Sequence, residues 1–137
     1  MKLLFAIFIL SGSVISGNFL TNSDFEHNQD DKWVAPESAR KLNNPASGEK
    51  SSIKRGKNLY KSYCVVCHGE TGHGDGPGSK ALDPKPADHT SKAVQSQTDG
   101  ELFWKISEGR GNMVGWQHVL KEHDRWDLVN YVRTLAK

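Results

Sequence analysis

The sequence predicts an all-α fold of three or four short helices joined by long loops. Three observations carry this. From residue 51 onward, apolar residues recur at spacings of three and four, as on one face of a helix. Helix start and stop signals bracket those stretches. No stretch shows the alternation of a half-buried strand.

The first helix is predicted to begin at Ser51, with Ser51 or Ser52 as its cap. Ile53, Gly56, Tyr60 and Tyr63 form one stripe, and Lys54, Arg55, Lys57 and Lys61 cover the rest. A glycine inside a helix costs about 1 kcal/mol against alanine, so Gly56 suggests that another backbone crosses closely there. Gly69 to Pro86 is rich in glycine and proline and reads as a long loop, which in a compact domain is usually functional. It lacks Gly-Lys-Ser/Thr and a preceding strand, so it is not a phosphate loop. Thr98-Asp99-Gly100-Glu101 is a capping box that opens a helix over Leu102 to Glu108, ending at Gly109. Arg110 to Gly115 is a second glycine-rich loop. The last helix is expected from about Asp124 to Leu135, with Leu128, Tyr131, Val132 and Leu135 as its apolar face and Trp126 beside it.

Upstream, residues 1–17 read as an export signal. Lys2 supplies the charge, Leu3 to Leu10 the apolar run, and Ser16 and Gly17 a small-residue cleavage site. An uncleaved anchor is the alternative, but the run falls short of the roughly 20 residues that span a bilayer. A periplasmic location follows from this reading. Residues 18–49 are polar, with six acids against three bases. They form either a disordered leader or an extended arm laid over the domain and pinned by Trp33. The remaining domain is residues 50–137.

Of the 137 residues, 36% are hydrophobic, a modest supply for a core. Small domains of this kind usually need a staple. Two cysteines exclude a disulfide framework, which leaves a bound cofactor. Cys64-Val65-Val66-Cys67-His68 supplies one, because Cys-x-x-Cys-His is the attachment motif for c-type haem. Thiols three positions apart near a helix end can each add to one haem vinyl group, and the next residue is carried under the iron, where its imidazole ligates. A thioredoxin-like pair would need a βαβ setting, and a zinc site two further ligands at short spacing. One covalent haem c is therefore expected on Cys64 and Cys67, with His68 as an axial ligand. The expected second ligand is Met113, the one methionine outside the export signal, in a loop between two glycines where no helical stripe explains it as core. His73, His89, His118 and His123 are its rivals.

With Gly56 and Tyr60 ahead of the haem motif, Met113 in its glycine loop, and Trp126-Asp127-Leu128-Val129-Asn130-Tyr131-Val132-Arg133 at the end, residues 50–137 resemble the class I cytochromes c. The stretch Gly72 to Pro86 is similar to that of single-haem cytochromes serving bacterial respiratory complexes. The resemblance implies a cytochrome c fold wrapped around one haem, with the first and last helices crossing at Gly56. It also implies that Pro77 offers the carbonyl that accepts the proton of the ligand histidine. Val114 departs from the family, in which proline commonly follows the ligand methionine; this bears on the loop's rigidity more than on ligation. Tyr60, Trp104, Trp116 and Leu128 are expected to pack against the haem.

A haem with both faces occupied has no open site for substrate, so electron transfer rather than catalysis is expected. Residues 50–137 hold fourteen basic against ten acidic side chains, a net of +4, which suits docking to an acidic redox partner such as a membrane respiratory complex or terminal oxidase. Basic residues are not interleaved with exposed aromatics, so nucleic acid is not an expected partner, and the membrane is met only through a partner or an uncleaved signal. Two other readings are a subunit of a larger respiratory complex, and a haem sensor or peroxidase with a labile Met113.

Overall fold

The computed structural model describes residues 33–137. Their regular structure is helical: α1 (Glu37–Arg40), α2 (Lys50–Tyr63), α3 (Val65–His68), α4 (Lys92–Gln95), α5 (Asp99–Glu108) and α6 (Glu122–Arg133), with 3₁₀ turns at Pro77–Ala81 and Trp116–His118. Among the described residues the sole extended pairing is an isolated bridge between Arg110 and Met113, and no helix is long and apolar enough to cross a membrane. The all-α expectation holds. The expected export signal lies outside the described residues.

The frame is the crossing of α2 and α6, which share the largest helix–helix contact. Gly56 makes it possible. A Cβ at that position would intrude on the Asp127 carbonyl and stand 3.0 Å from Tyr131 Cβ, so the expected backbone crossing is found. Around it Tyr60, Leu128 and Val129 are fully buried. Trp126 stacks on Phe103 of α5 with ring centroids 3.9 Å apart, which fixes α5 against α6.

The start of α2 differs from expectation. The helix begins at Lys50 behind Glu49, with no side-chain cap. Ser52, wholly buried, instead donates its hydroxyl to the buried Asp127 carboxylate, which also takes Arg55 Nε at 2.6 Å and Nη2 at 2.9 Å. Asn130 Nδ2 donates to Ser52 Oγ at 2.7 Å. A buried carboxylate without such donors would be costly, and satisfying Asp127 outweighs a cap that solvent can replace at an exposed helix end. At α5 the capping box is present: Glu101 N–H donates to Thr98 Oγ1 (3.2 Å) and Thr98 N–H to Glu101 Oε2 (2.7 Å).

The compact unit begins at Trp33 and takes in residues 33–49 together with the helices that follow. Ala35 and Ala39 are buried, and Arg40 Nε meets Glu101 Oε1 at 2.9 Å. Apolar burial at two alanines offsets the polar composition of this stretch.

Candidate functional site

Helix α2 stops at Tyr63, and Cys64 opens the single turn α3. The Cys64 carbonyl accepts the N–H groups of Cys67 (3.1 Å) and His68 (2.9 Å), so the two cysteines stand one helical turn apart. Both cysteines are free. Burial, with Cys67 nearby, pushes the Cys64 thiol up to about 12, the opposite of the activated thiolate of a redox dithiol. Among the described residues no group of three or more His, Cys, Asp or Glu side chains forms a metal cluster, so the zinc alternative finds no ligands there.

His68 is buried, and burial lowers its proton affinity, so the ring is held neutral. Its Nδ1 lies 3.1 Å from the Ala87 carbonyl oxygen. As donor there, Nδ1 keeps the proton and leaves Nε2 as the free lone pair. This corrects the expectation for Pro77. The loop turns back beneath α3 earlier, as Gly74 N–H donates to the His68 carbonyl (2.9 Å) and Gly76 N–H to the Cys67 carbonyl (3.2 Å). Pro77 is thereby held at the backbone of the cysteine turn, where it opens a 3₁₀ turn, and the chain reaches the imidazole only at Ala87.

A mostly apolar cleft stands over this turn. Cys64, His68, Tyr60, Met113 and Trp116 line it; Cys67, Pro77 and Trp104 do not. Trp104 is a correction with a helical cause. Leu102, Lys105 and Ile106 present one face of α5 to the cleft, and Trp104 falls on another, where it meets Trp33 at 6.1 Å. Trp116 packs on Tyr63 at 5.0 Å, beside the cysteine turn. Met113 is held by two backbone bonds to Arg110, of 2.9 and 3.0 Å.

Of the four rival histidines, His89 alone lines the cleft. Its ring is stacked on His68, centroids 4.1 Å apart, and its Nδ1 meets the Tyr60 hydroxyl at 3.2 Å. That hydroxyl also faces the Gly69 carbonyl at 3.2 Å, so His89 braces the His68 side rather than facing it. Ala87, Trp33 and Lys105 are site residues that sequence reasoning missed. Nothing in the sequence marks Ala87. Trp33, a large aromatic in a polar stretch, was a visible signal.

Residues 51–132 match the family model described as cytochrome C oxidase, cbb3-type, subunit III. The chain belongs to this family of class I c-type cytochromes. The cytochrome is also similar to solved structures. A chain of the Kuenenia stuttgartiensis reducing HAO-like protein complex Kustc0457/Kustc0458 is 27% identical, with a TM-score of 0.62 over 70% of this chain and 50% of that one. The c-type cytochrome KustC0563 is 26% identical, with a TM-score of 0.53 over 60% of this chain and 98% of that one. Cytochrome CL from the marine methylotrophic bacterium Methylophaga aminisulfidivorans MPT, 24% identical with a TM-score of 0.51 over 65% of this chain and 56% of that one, shares the fold. The cytochrome thus spans about half the length of the Kuenenia complex chain. No curated protein matches it.

The cofactor of this family is covalently bound haem c, and the residues present fit it. Two free thiols sit one turn apart, a buried neutral imidazole and a thioether border one cleft, and the remaining walls are largely apolar. The protein is a haem-based electron-transfer protein.

Proposed function

We propose that this cytochrome is an exported single-haem electron shuttle, with its haem c attached through Cys64 and Cys67 and held between His68 and Met113. The observation that carries this is the shared cleft of His68 and Met113. When bound, haem c supplies a one-electron change at iron. The Ala87 carbonyl orients the His68 imidazole and makes it a better donor. The Met113 thioether, a weak donor, favours the reduced state, as does the apolar wall. His68 and Met113 would hold the iron between them and leave no place there for a substrate, which supports a carrier rather than an enzyme.

Partners would meet it at the cysteine turn and the methionine loop, where Val66, Val114 and Val119 are 55%, 57% and 60% exposed. Lys61 and Lys121, close by in sequence, are exposed as well. Exposed apolar contact with lysines nearby suits a brief encounter with an acidic redox protein. The apolar run at residues 3–10 supports delivery outside the cytoplasm. The similarity to a chain of a multi-protein complex favours a second reading, in which the domain is resident in a larger respiratory assembly.

Carbon monoxide tests the closed site. The reduced native protein should leave it unbound, whereas Met113→Ala should keep its haem, bind the gas and show a lower midpoint potential. Gas binding by the native protein would make it a sensor or enzyme instead.

A further inference from the structure

Residues 33–49 lie outside the stretch that matches the family, which begins at residue 51, yet they reach the haem cleft. Trp33 lines it together with Lys105 and Gln97. Lys105 Nζ stands 5.4 Å from the centre of the Trp33 ring and donates to Gln97 Oε1 at 2.7 Å. Lys105 is the single side chain of permanent charge among the described residues that line this apolar cleft. Its ammonium is given a neutral amide oxygen and an aromatic face, and neither is a counter-charge. Burial lowers its proton affinity; Glu101, one turn back on the same helix but paired with Arg40, opposes this, and Arg110 adds repulsion. A partly desolvated cation facing an apolar space is stabilised by an anion in that space.

The segment is fastened where it needs to be for this. Glu101, on the first turn of α5, is buried against Arg40. Asn44 Nδ2 donates to Asp99 Oδ2 at 2.8 Å. A Cβ at Gly100 would intrude on the Ala39 carbonyl, so α1 lies backbone to backbone on α5. Lys105 rides one turn further along that same helix. Trp116, on Tyr63 beside Cys64, marks the cysteine end of the cleft. Trp33, on Trp104 and Lys105, belongs to other elements. Haem is an apolar disc with two carboxylates on the edge away from its vinyl groups, and the vinyl edge is the one the cysteines take.

We propose that residues 33–49 are a built-in wall of the haem site, and that Trp33 and Lys105 clamp a haem propionate, with Lys105 as its counter-charge and Trp33 as its cover from water. This rests on the haem-carrier reading above. An ammonium at the carboxylate offsets a negative charge that would otherwise favour the oxidised iron, so the clamp raises the midpoint potential. The aromatic cover lowers the local dielectric and strengthens the pair.

The test uses the full-length haem protein, native and with Lys105→Met, Lys105→Arg or Trp33→Ala, read by redox titration and by the propionate-bending band in resonance Raman spectra. Lys105→Met should shift that band and lower the midpoint potential, and Lys105→Arg should restore both towards native values. Trp33→Ala should move the band in the same direction. An unmoved band and potential in Lys105→Met and Trp33→Ala, with haem still covalent and six-coordinate, would overturn the clamp and leave the carrier reading intact. Absence of covalent, low-spin haem from the native protein would instead overturn the carrier reading.

Discussion

Each residue of the site depends on a neighbour that fixes its chemical state. His68 donates to Ala87 at one nitrogen and so can ligate with the other. Cys64 is held as a protonated thiol until it is consumed. Attachment by two cysteines has a readout of its own, because each thioether saturates one vinyl group and moves the pyridine haemochrome band to shorter wavelength. The native protein should show the two-thioether position, and Cys64→Ala an intermediate, red-shifted one with haem still bound. Bands that coincide in the two proteins would mean that Cys64 carries no haem. The cysteine motif singles out these two residues and His68 in the sequence by spacing alone, and Cys64 and His68 line the cleft. Ala87 was not legible: a backbone carbonyl acts there, and the side chain that happens to carry it leaves no mark. Pro77 was misplaced for the same reason, because the path of a glycine-rich loop is set by backbone bonds such as that from Gly76 to Cys67.

At the scale of elements, the crossing of α2 and α6 and the seat of α1 on α5 each yield a prediction. Gly56→Val should destabilise the haem form by about 1–3 kcal/mol, as overpacking does, because its side chain would enter the space of the Asp127 carbonyl and Tyr131. Thermal melting should show the loss while the axial-ligand spectrum stays native. Glu101 couples α1 to α5 and carries a pH signature. Burial alone would raise its pKa, but the Thr98 N–H and Arg40 outweigh this and hold it below its ordinary 4.5. The unfolded chain therefore binds the proton more readily than the folded one. Stability from Glu101 is fully present above that ordinary value and is lost as pH falls through the lower folded one. Melting between pH 3 and 7 should show a steeper acid loss in the native protein than in Glu101→Gln; parallel curves would mean that Glu101 does not link the two helices. Gly56 was readable in advance because an unpaid helix penalty needs a packing reason. The role of α1 was not, because a four-residue helix with three polar side chains gains helicity only from the surface beneath Ala39.

For the whole molecule, the described residues wrap three longer helices and several single turns around a cleft lined by apolar side chains from most of these elements. Such a shell buries too little against itself to offset its chain entropy comfortably. The double change Cys64→Ala, Cys67→Ala should therefore leave a protease-sensitive chain with reduced helix content by circular dichroism. A cooperative thermal transition with native helix content would show that the shell stands without its cofactor. The need for a cofactor was legible from composition and the two cysteines, and Trp33 was the one sign, in an otherwise polar stretch, that residues 33–49 lie over the domain. Closure of the haem by His68 on one side and Met113 on the other can be read in the absorbance spectrum of the oxidised protein. The methionine–iron charge-transfer band should be present at the red end of the native spectrum, retained in His89→Phe and absent in Met113→Ala. A native spectrum without that band, or a Met113→Ala spectrum that keeps it, would mean that Met113 does not ligate the iron.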